Sequence, residues 1–156
     1  MMNTNRILGT IALAVLLGAT ACSGEGDASL DDEGDTSETR EEPLLAGRKV
    51  PESELRQLLA NAGFTSDVIP KMVCTAKWES SFYERASNKN GNGSTDRGLF
   101  QVNSIHIGGT PGCPSSAEAL FNAATNAKCA RAIYKMQGIR AWYGYRAHKR
   151  ECDAAR

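Results

Sequence analysis

Between Ser23 and Ala46 the chain carries nine acidic residues against Arg40 alone, and almost no large apolar side chain before Leu44-Leu45. Such a stretch cannot bury enough surface to offset the entropy lost on ordering it. Folding is therefore confined to the residues after Ala46, and Ser23 to Ala46 reads as an acidic tether with a root-mean-square reach of roughly 25–30 Å. The formal charge of the whole chain is zero, but it is unevenly shared: the tether carries −8 and Gly47 to Arg156 carries +7. A basic folded part favours anionic partners, among them cell-wall polymers, nucleic acid and acidic lipid headgroups, and charge alone does not choose among them.

Ahead of the tether, Arg6 precedes the apolar run Ile7 to Ala19. That run is too short to span a bilayer and has the length of a signal-peptide core, which sets the leader at residues 1–21. The following Ala19-Thr20-Ala21-Cys22 suits ordinary signal-peptidase cleavage. It also resembles a bacterial lipobox, in which Cys22 is acylated and becomes the mature N-terminus. Cysteine parity favours the lipid. Of five cysteines, Cys74, Cys113, Cys129 and Cys152 can form two bridges, and Cys22 is left over. The expected location is outside the cytoplasm, anchored to the envelope through Cys22 (at the outer membrane in a Gram-negative host) or else secreted.

Within 47–156 the pattern is mainly helical. Leu55, Leu58 and Leu59 recur at helical spacing between Pro51 and Ala62, with Gly63 as a stop. Thr65-Ser66-Asp67 offers N-caps for a second helix with Pro70 in its first turn. Asn88 to Gly93 repeats tight-turn signals, and Leu99, Phe100 and Val102 read as a strand. Ser115-Ser116-Ala117-Glu118 has the form of a capping box. Asn126 to Gln137 and Ile139 to Lys149 read as two further helices. No repeat and no parallel-sheet pattern is present, so the class is α+β, mostly helical with one small antiparallel sheet.

Two carboxyl groups fall in unlike settings. Along the second helix Ile69, Met72, Val73, Ala76, Ser80 and Tyr83 form one apolar stripe, and Glu79 lies on or beside it. Loss of water there raises a carboxyl pKa, the property a general acid needs. Asp96 lies instead among hydroxyls and amides, in Asn90-Gly91-Asn92-Gly93-Ser94-Thr95-Asp96. Carboxyl groups in such different surroundings can hold different protonation states, as cleavage of a glycosidic bond requires.

The runs Val73 to Phe82, Asn88 to Ser104, Cys129 to Ile133 and Ala141-Trp142-Tyr143-Gly144-Tyr145-Arg146 strongly resemble the c-type lysozymes and α-lactalbumins. The resemblance covers about Arg48 to Cys152 and implies a lysozyme-like catalytic domain at 47–156, with the sheet flanking a cleft. It implies a muramidase that cuts the β-1,4 bond between N-acetylmuramic acid and N-acetylglucosamine with retention. Glu79 matches the general acid and Asp96 the nucleophile or charge stabiliser. Asn90 and Asn103 match polar residues around Asp96. Gln101, Asn103, Ala141 and Trp142 match the cleft wall that holds an acetamido group, and Trp142 also matches the aromatic against the general acid. The same alignment implies the bridges Cys74–Cys152 and Cys113–Cys129.

Departures from the family are local. Ile105-His106-Ile107-Gly108 stands where the family places an aromatic pair that stacks on sugars, and only four of its usual eight cysteines have counterparts. Glu118 is the only acid between Cys113 and Cys129, so no structural Ca²⁺ is expected. No metal-binding spacing and no cofactor motif is present, so no cofactor is expected. The expected partner is peptidoglycan or a related N-acetylglucosamine polymer, met by a monomer, with no nucleic acid. Two alternatives stand beside the hydrolase: a lytic transglycosylase, which needs only one acid, and a catalytically inactive glycan-binding lipoprotein of the same fold. Retention of both carboxyl groups weighs against each.

Overall fold

The computed structural model describes residues 47–156, so the expected leader, Cys22 and the acidic tether lie outside the described residues. Helix α1 (Glu52–Asn61) forms where Leu55 and Leu59, one turn apart, are both removed from water. Each such side chain contributes about 1.5–3 kcal/mol on burial. Glu52 and Glu54 sit in the first turn, facing the positive end of the helix dipole. The helix closes in a Schellman arrangement: Phe64 N–H donates to the Leu59 carbonyl at 3.1 Å and Gly63 N–H to Ala60 at 2.9 Å. Gly63 supplies the required left-handed residue, with φ +90°.

Helix α2 (Ile69–Ser80) carries Pro70 in its first turn and buries Met72, Val73, Ala76 and Ser80. No side chain of Thr65-Ser66-Asp67 caps it. The Thr65 carbonyl instead accepts from the N–H groups of Val68 and Ile69, 3.0 Å each, so a preceding turn leads the chain into the helix. Helix α3 (Ala123–Gln137) starts ahead of Asn126 because the Asn122 side chain caps it, accepting from Thr125 N–H at 3.0 Å. The sequence Ser115 to Glu118 makes no capping box. Its segment becomes a 3₁₀ turn (Glu118–Phe121) without a side-chain cap, and Glu118 pairs with Arg85 at 2.9 Å instead.

The single helix expected over Ile139 to Lys149 is divided into a 3₁₀ turn (Ile139–Ala141), α4 (Tyr143–Ala147) and α5 (Lys149–Ala154). Tertiary contacts cause both breaks. Trp142 leaves helical geometry (φ −88°, ψ 131°) as its buried indole N–H reaches the Phe100 carbonyl at 2.9 Å. His148 (φ −115°, ψ 29°) lies flat against Trp78, ring centroids 3.4 Å apart.

Strands β1 (Ser87–Lys89), β2 (Thr95–Arg97) and β3 (Val102–Asn103) form one antiparallel sheet in that order. Its register sets Asp96 opposite Asn88 on one side and opposite Asn103 on the other. Leu99 and Phe100 do not belong to a strand. They form the tight connection from β2 to β3, with Gly98 at φ +76° and Gln101 at φ +42°, and both side chains are wholly buried. The apolar run that resembled a strand is a core plug.

This turn is where the helices meet the sheet. Asn126, fully buried on α3, accepts from Phe100 N–H at 2.9 Å and donates to the carbonyls of Arg97 at 2.9 Å and Leu120 at 2.8 Å. Ser80 Oγ, at the end of α2, donates to the Leu99 carbonyl at 2.9 Å. A β-carbon on Gly98 would stand 2.2 Å from Asn126 Nδ2 and 2.4 Å from the Leu120 carbonyl, so no larger residue fits there. Two disulfides fasten the rest: Cys74–Cys152 ties α2 to α5, and Cys113–Cys129 ties the loop over residues 107–117 to α3. Loop-closure entropy puts their contributions at about 4.5 and 3 kcal/mol respectively.

Replacing Asn126 by Ala leaves buried Phe100 N–H and two carbonyls without their side-chain partner. The expected loss is about 3 kcal/mol or more, seen as a lower urea midpoint at unchanged m-value. A midpoint equal to that of the parent protein would show that the turn holds itself.

Candidate active site

Glu79 is on the last turn of α2, half-buried, and its Oε1 accepts from the backbone N–H of Gly144 at 2.7 Å. Burial is the main cause that holds its carboxyl above the usual range, and the negative charge of Asp96 pushes the same way. Gly144 N–H and the Arg146 guanidinium oppose both. The close approach exists because residue 144 has no side chain: a β-carbon there would meet Glu79 Oε1 and Trp78 Cβ, each at 3.0 Å.

Asp96 sits in the middle of β2 with both oxygens occupied. Asn90 Nδ2 donates to Oδ2 at 2.9 Å, and Asn103 Nδ2 donates to Oδ1 at 2.7 Å. The second contact follows from strand register, since opposed residues of an antiparallel pair place their side chains on one face. Ser94 Oγ accepts from Asn90 at 3.0 Å and from Asn103 at 2.9 Å, and donates to Asn92 Oδ1 at 2.8 Å. A closed amide–hydroxyl network thus orients one carboxylate, while the other is held by a single backbone N–H.

Glu79 and Asp96 line the same cleft cavity of about 250 Å³. Gln101, Asn103, Ala141 and Trp142 line it too, so the structure brings six of the seven expected catalytic and substrate-binding residues together. Asn90 is the exception and stands behind Asp96. Gln101 spends its amide nitrogen inward, on the carbonyls of Ala86 and Gly98 at 3.0 Å each, which leaves only its oxygen for a ligand. The Ala141 carbonyl already accepts from Arg146 Nη1 at 3.1 Å. Two larger cavities, of about 350 and 560 Å³, lack this chemistry. In the first, Glu52 and Glu151 are paired with Arg56 and Lys77; the second is rimmed by Lys128, Arg131 and Lys135 and has no acid.

Several residues of the site have no clear signal in the sequence. Gly144 acts through a backbone N–H that every residue but proline has. Ser94 is hidden in a run of turn residues, and nothing in the order of residues gives Tyr143 or Arg146 a role of its own. His106 lines the cavity, half-buried, with Nδ1 2.9 Å from Thr110 Oγ1, and burial lowers its pKa. Neighbouring Ile105 is 73 % exposed. Among the described residues, no group of three or more His, Cys, Asp or Glu is placed to hold a metal ion.

Known proteins share this arrangement of sequence. The chain is 40 % identical over 101 residues to lysozyme c-1 of Anopheles gambiae, covering 61 % of this chain and 72 % of that protein. It is 38 % identical over 101 residues to lysozyme C II of Oncorhynchus mykiss, covering 58 % and 70 %. With lysozyme C of Macaca mulatta it shares 40 % identity over 104 residues, covering 60 % and 70 %. The sequence model of one family matches residues 49–155, nearly the whole folded part. On that match, and on a mostly helical fold with a small antiparallel sheet beside two carboxyl groups, the chain belongs to the C-type lysozyme/alpha-lactalbumin family.

Proposed function

We propose that this protein is a lysozyme-type glycoside hydrolase, a muramidase that cleaves the β-1,4 bond between N-acetylmuramic acid and N-acetylglucosamine with retention. The observation that carries this reading is one cleft holding a desolvated Glu79 and a hydrogen-bonded Asp96. Relatives at about 40 % identity that are named lysozymes support the class of enzyme. Lysozyme is itself the type case of this two-carboxylate chemistry, so the roles come from the family, and the geometry here supports them.

In the first step Glu79, protonated, gives its proton to the glycosidic oxygen, and the leaving sugar departs with it. Asp96 meets the positive charge at the anomeric carbon and forms the glycosyl intermediate. Asn90 and Asn103 keep both its oxygens in place. In the second step Glu79, now ionised, takes a proton from water, whose oxygen bonds to the anomeric carbon as Asp96 leaves. Trp142, buried and tied to Phe100, gives the cleft a rigid apolar wall. The two disulfides suit an oxidising compartment. Export under the leader at 1–21 follows on this reading, with anchorage through acylated Cys22 and the acidic stretch as a spacer. The domain would act as a monomer on wall glycan.

The rival reading is a glycan-binding protein without turnover. Ile105, exposed where the family has a stacking aromatic, favours it. Mass analysis of muropeptides after digestion separates the readings. Hydrolysis gives new reducing ends, transglycosylation gives anhydro ends, and a binding protein gives neither.

Glu79→Gln is expected to lower kcat at least 100-fold, while oligosaccharide affinity in a direct binding assay stays close to that of the parent. Turnover left intact would exclude Glu79 as the acid. Activity should persist above the ordinary glutamate range near 4.3 and fall as pH rises through the raised value of Glu79, since the acid works in its protonated form. A profile of kcat/KM against pH checks this, and an alkaline limb at the ordinary value would contradict it. Stability carries the same sign. Folded Glu79 holds its proton more tightly than the unfolded chain does, so its contribution is complete below the unfolded pKa and is lost as pH rises through the folded one. Glu79→Gln lacks that loss, and its Tm should gain on the parent's as pH rises through this window. A Tm difference that does not change with pH would remove the desolvation account.

A further inference from the structure

Tyr143 is the most exposed of the large aromatic side chains in the described structure, at 72 %, yet it lines the cavity that holds Glu79 and Asp96. It lies between Trp142, buried in the cleft wall, and Gly144, whose N–H binds Glu79. The Arg146 guanidinium lies over one face of its ring, 5.8 Å from the centroid. That guanidinium is itself fixed, donating to the carbonyls of Arg140 at 2.6 Å and Ala141 at 3.1 Å. One face is therefore backed by an anchored cation and the other is open at the lip of the cleft. An aromatic ring held this way presents a flat apolar surface at little entropic cost. The C–H face of a pyranose is the chemical complement of such a surface.

We propose that Tyr143, backed by Arg146, is a sugar-stacking platform for the N-acetylhexosamine on the leaving-group side of the scissile bond. The assignment to that side rests on the hydrolase reading. Glu79 meets the oxygen of the leaving sugar, and Tyr143 is one residue from the N–H that holds Glu79. The platform moves aromatic binding away from the Ile105-His106-Ile107 segment, where Ile105 is exposed and carries no ring.

The test compares Tyr143→Ala, Tyr143→Phe and Tyr143→Trp in the full chain, with N-acetylglucosamine oligomers as substrate and monomeric N-acetylglucosamine as added acceptor. When the acceptor intercepts the glycosyl intermediate, its hydroxyl oxygen bonds to the anomeric carbon, its proton passes to Glu79 and the Asp96 oxygen departs. Tyr143→Ala should raise KM about 3- to 10-fold and lower the ratio of acceptor transfer to hydrolysis by a similar factor. Phe and Trp should retain both values. A merely structural role would not move that ratio. An unchanged ratio in Tyr143→Ala, or a Phe variant as impaired as Ala, overturns the proposal. Direct binding of a hexamer, long enough to cover both sides of the scissile bond, to Glu79→Gln, with and without Tyr143→Ala, tests the platform apart from turnover. If the parent binds the hexamer without generating new reducing ends, the hydrolase reading fails and the leaving-group assignment falls with it. If the parent turns over but Tyr143→Ala binds and partitions like the parent, only the platform fails.

Discussion

The site depends on one buried amide. Asn126 holds the turn between β2 and β3 with one acceptor and two donor contacts, those to Phe100 and Leu120 buried and that to Arg97 partly so. Ser80 and Trp142 grip the same turn from α2 and from the segment ahead of α4. Strand register then carries that anchoring to Asp96 and Asn103. The helical part and the small sheet are thus joined at a turn whose carbonyls at 97, 98, 99 and 100 all accept side-chain hydrogen bonds, and the two carboxyl groups come from the elements that meet there. Strands of three and two residues have too few ladder bonds to fix their own position; side chains of the helices do it for them.

That joint also explains how two chemically similar groups are kept different. Glu79 gets one backbone donor and a partly dry wall, so its neutral form is favoured. Asp96 receives two amide donors that are themselves held by Ser94, so both of its oxygens have fixed hydrogen-bond partners. Arg146 works against the first effect while also bonding the backbone of the cleft wall. The raised proton affinity of Glu79 is therefore a balance of opposed contributions rather than the product of burial alone.

Much of this is legible in the order of residues, and the parts that are not have definite causes. Leu55 and Leu59 at helical spacing, Gly63 as the stop, and the stripe from Met72 to Ser80 beside Glu79 rest on local periodicity, which survives folding; Tyr83 leaves that stripe because α2 ends at Ser80 and the chain turns through Ser81 at φ 50° to bridge Lys49. Leu99 and Phe100 mislead because an apolar pair beside Val102 has the same pattern whether it pairs in a sheet or plugs a core. The helix expected through Trp142 is broken by an indole that needs a distant carbonyl. Asn126 reads as an indifferent helix residue, and its value appears only when residues 97, 100 and 120 surround it. Gln101 lies in the cleft as expected, but the direction of its amide nitrogen depends on carbonyls that sequence does not locate.

The missing β-carbon at Gly144 has a consequence for how such proteins are surveyed by mutation. The group that touches Glu79 is main chain, so exchanging residue 144 for anything but proline cannot delete it; such an exchange only adds atoms that crowd the acid at 3.0 Å. Scanning by side-chain truncation will pass over this contact altogether, and scanning by enlargement will register damage at a position with no chemistry of its own. Only a change to the amide itself, such as an ester linkage placed at residue 144, would reveal what that N–H contributes to proton affinity at Glu79.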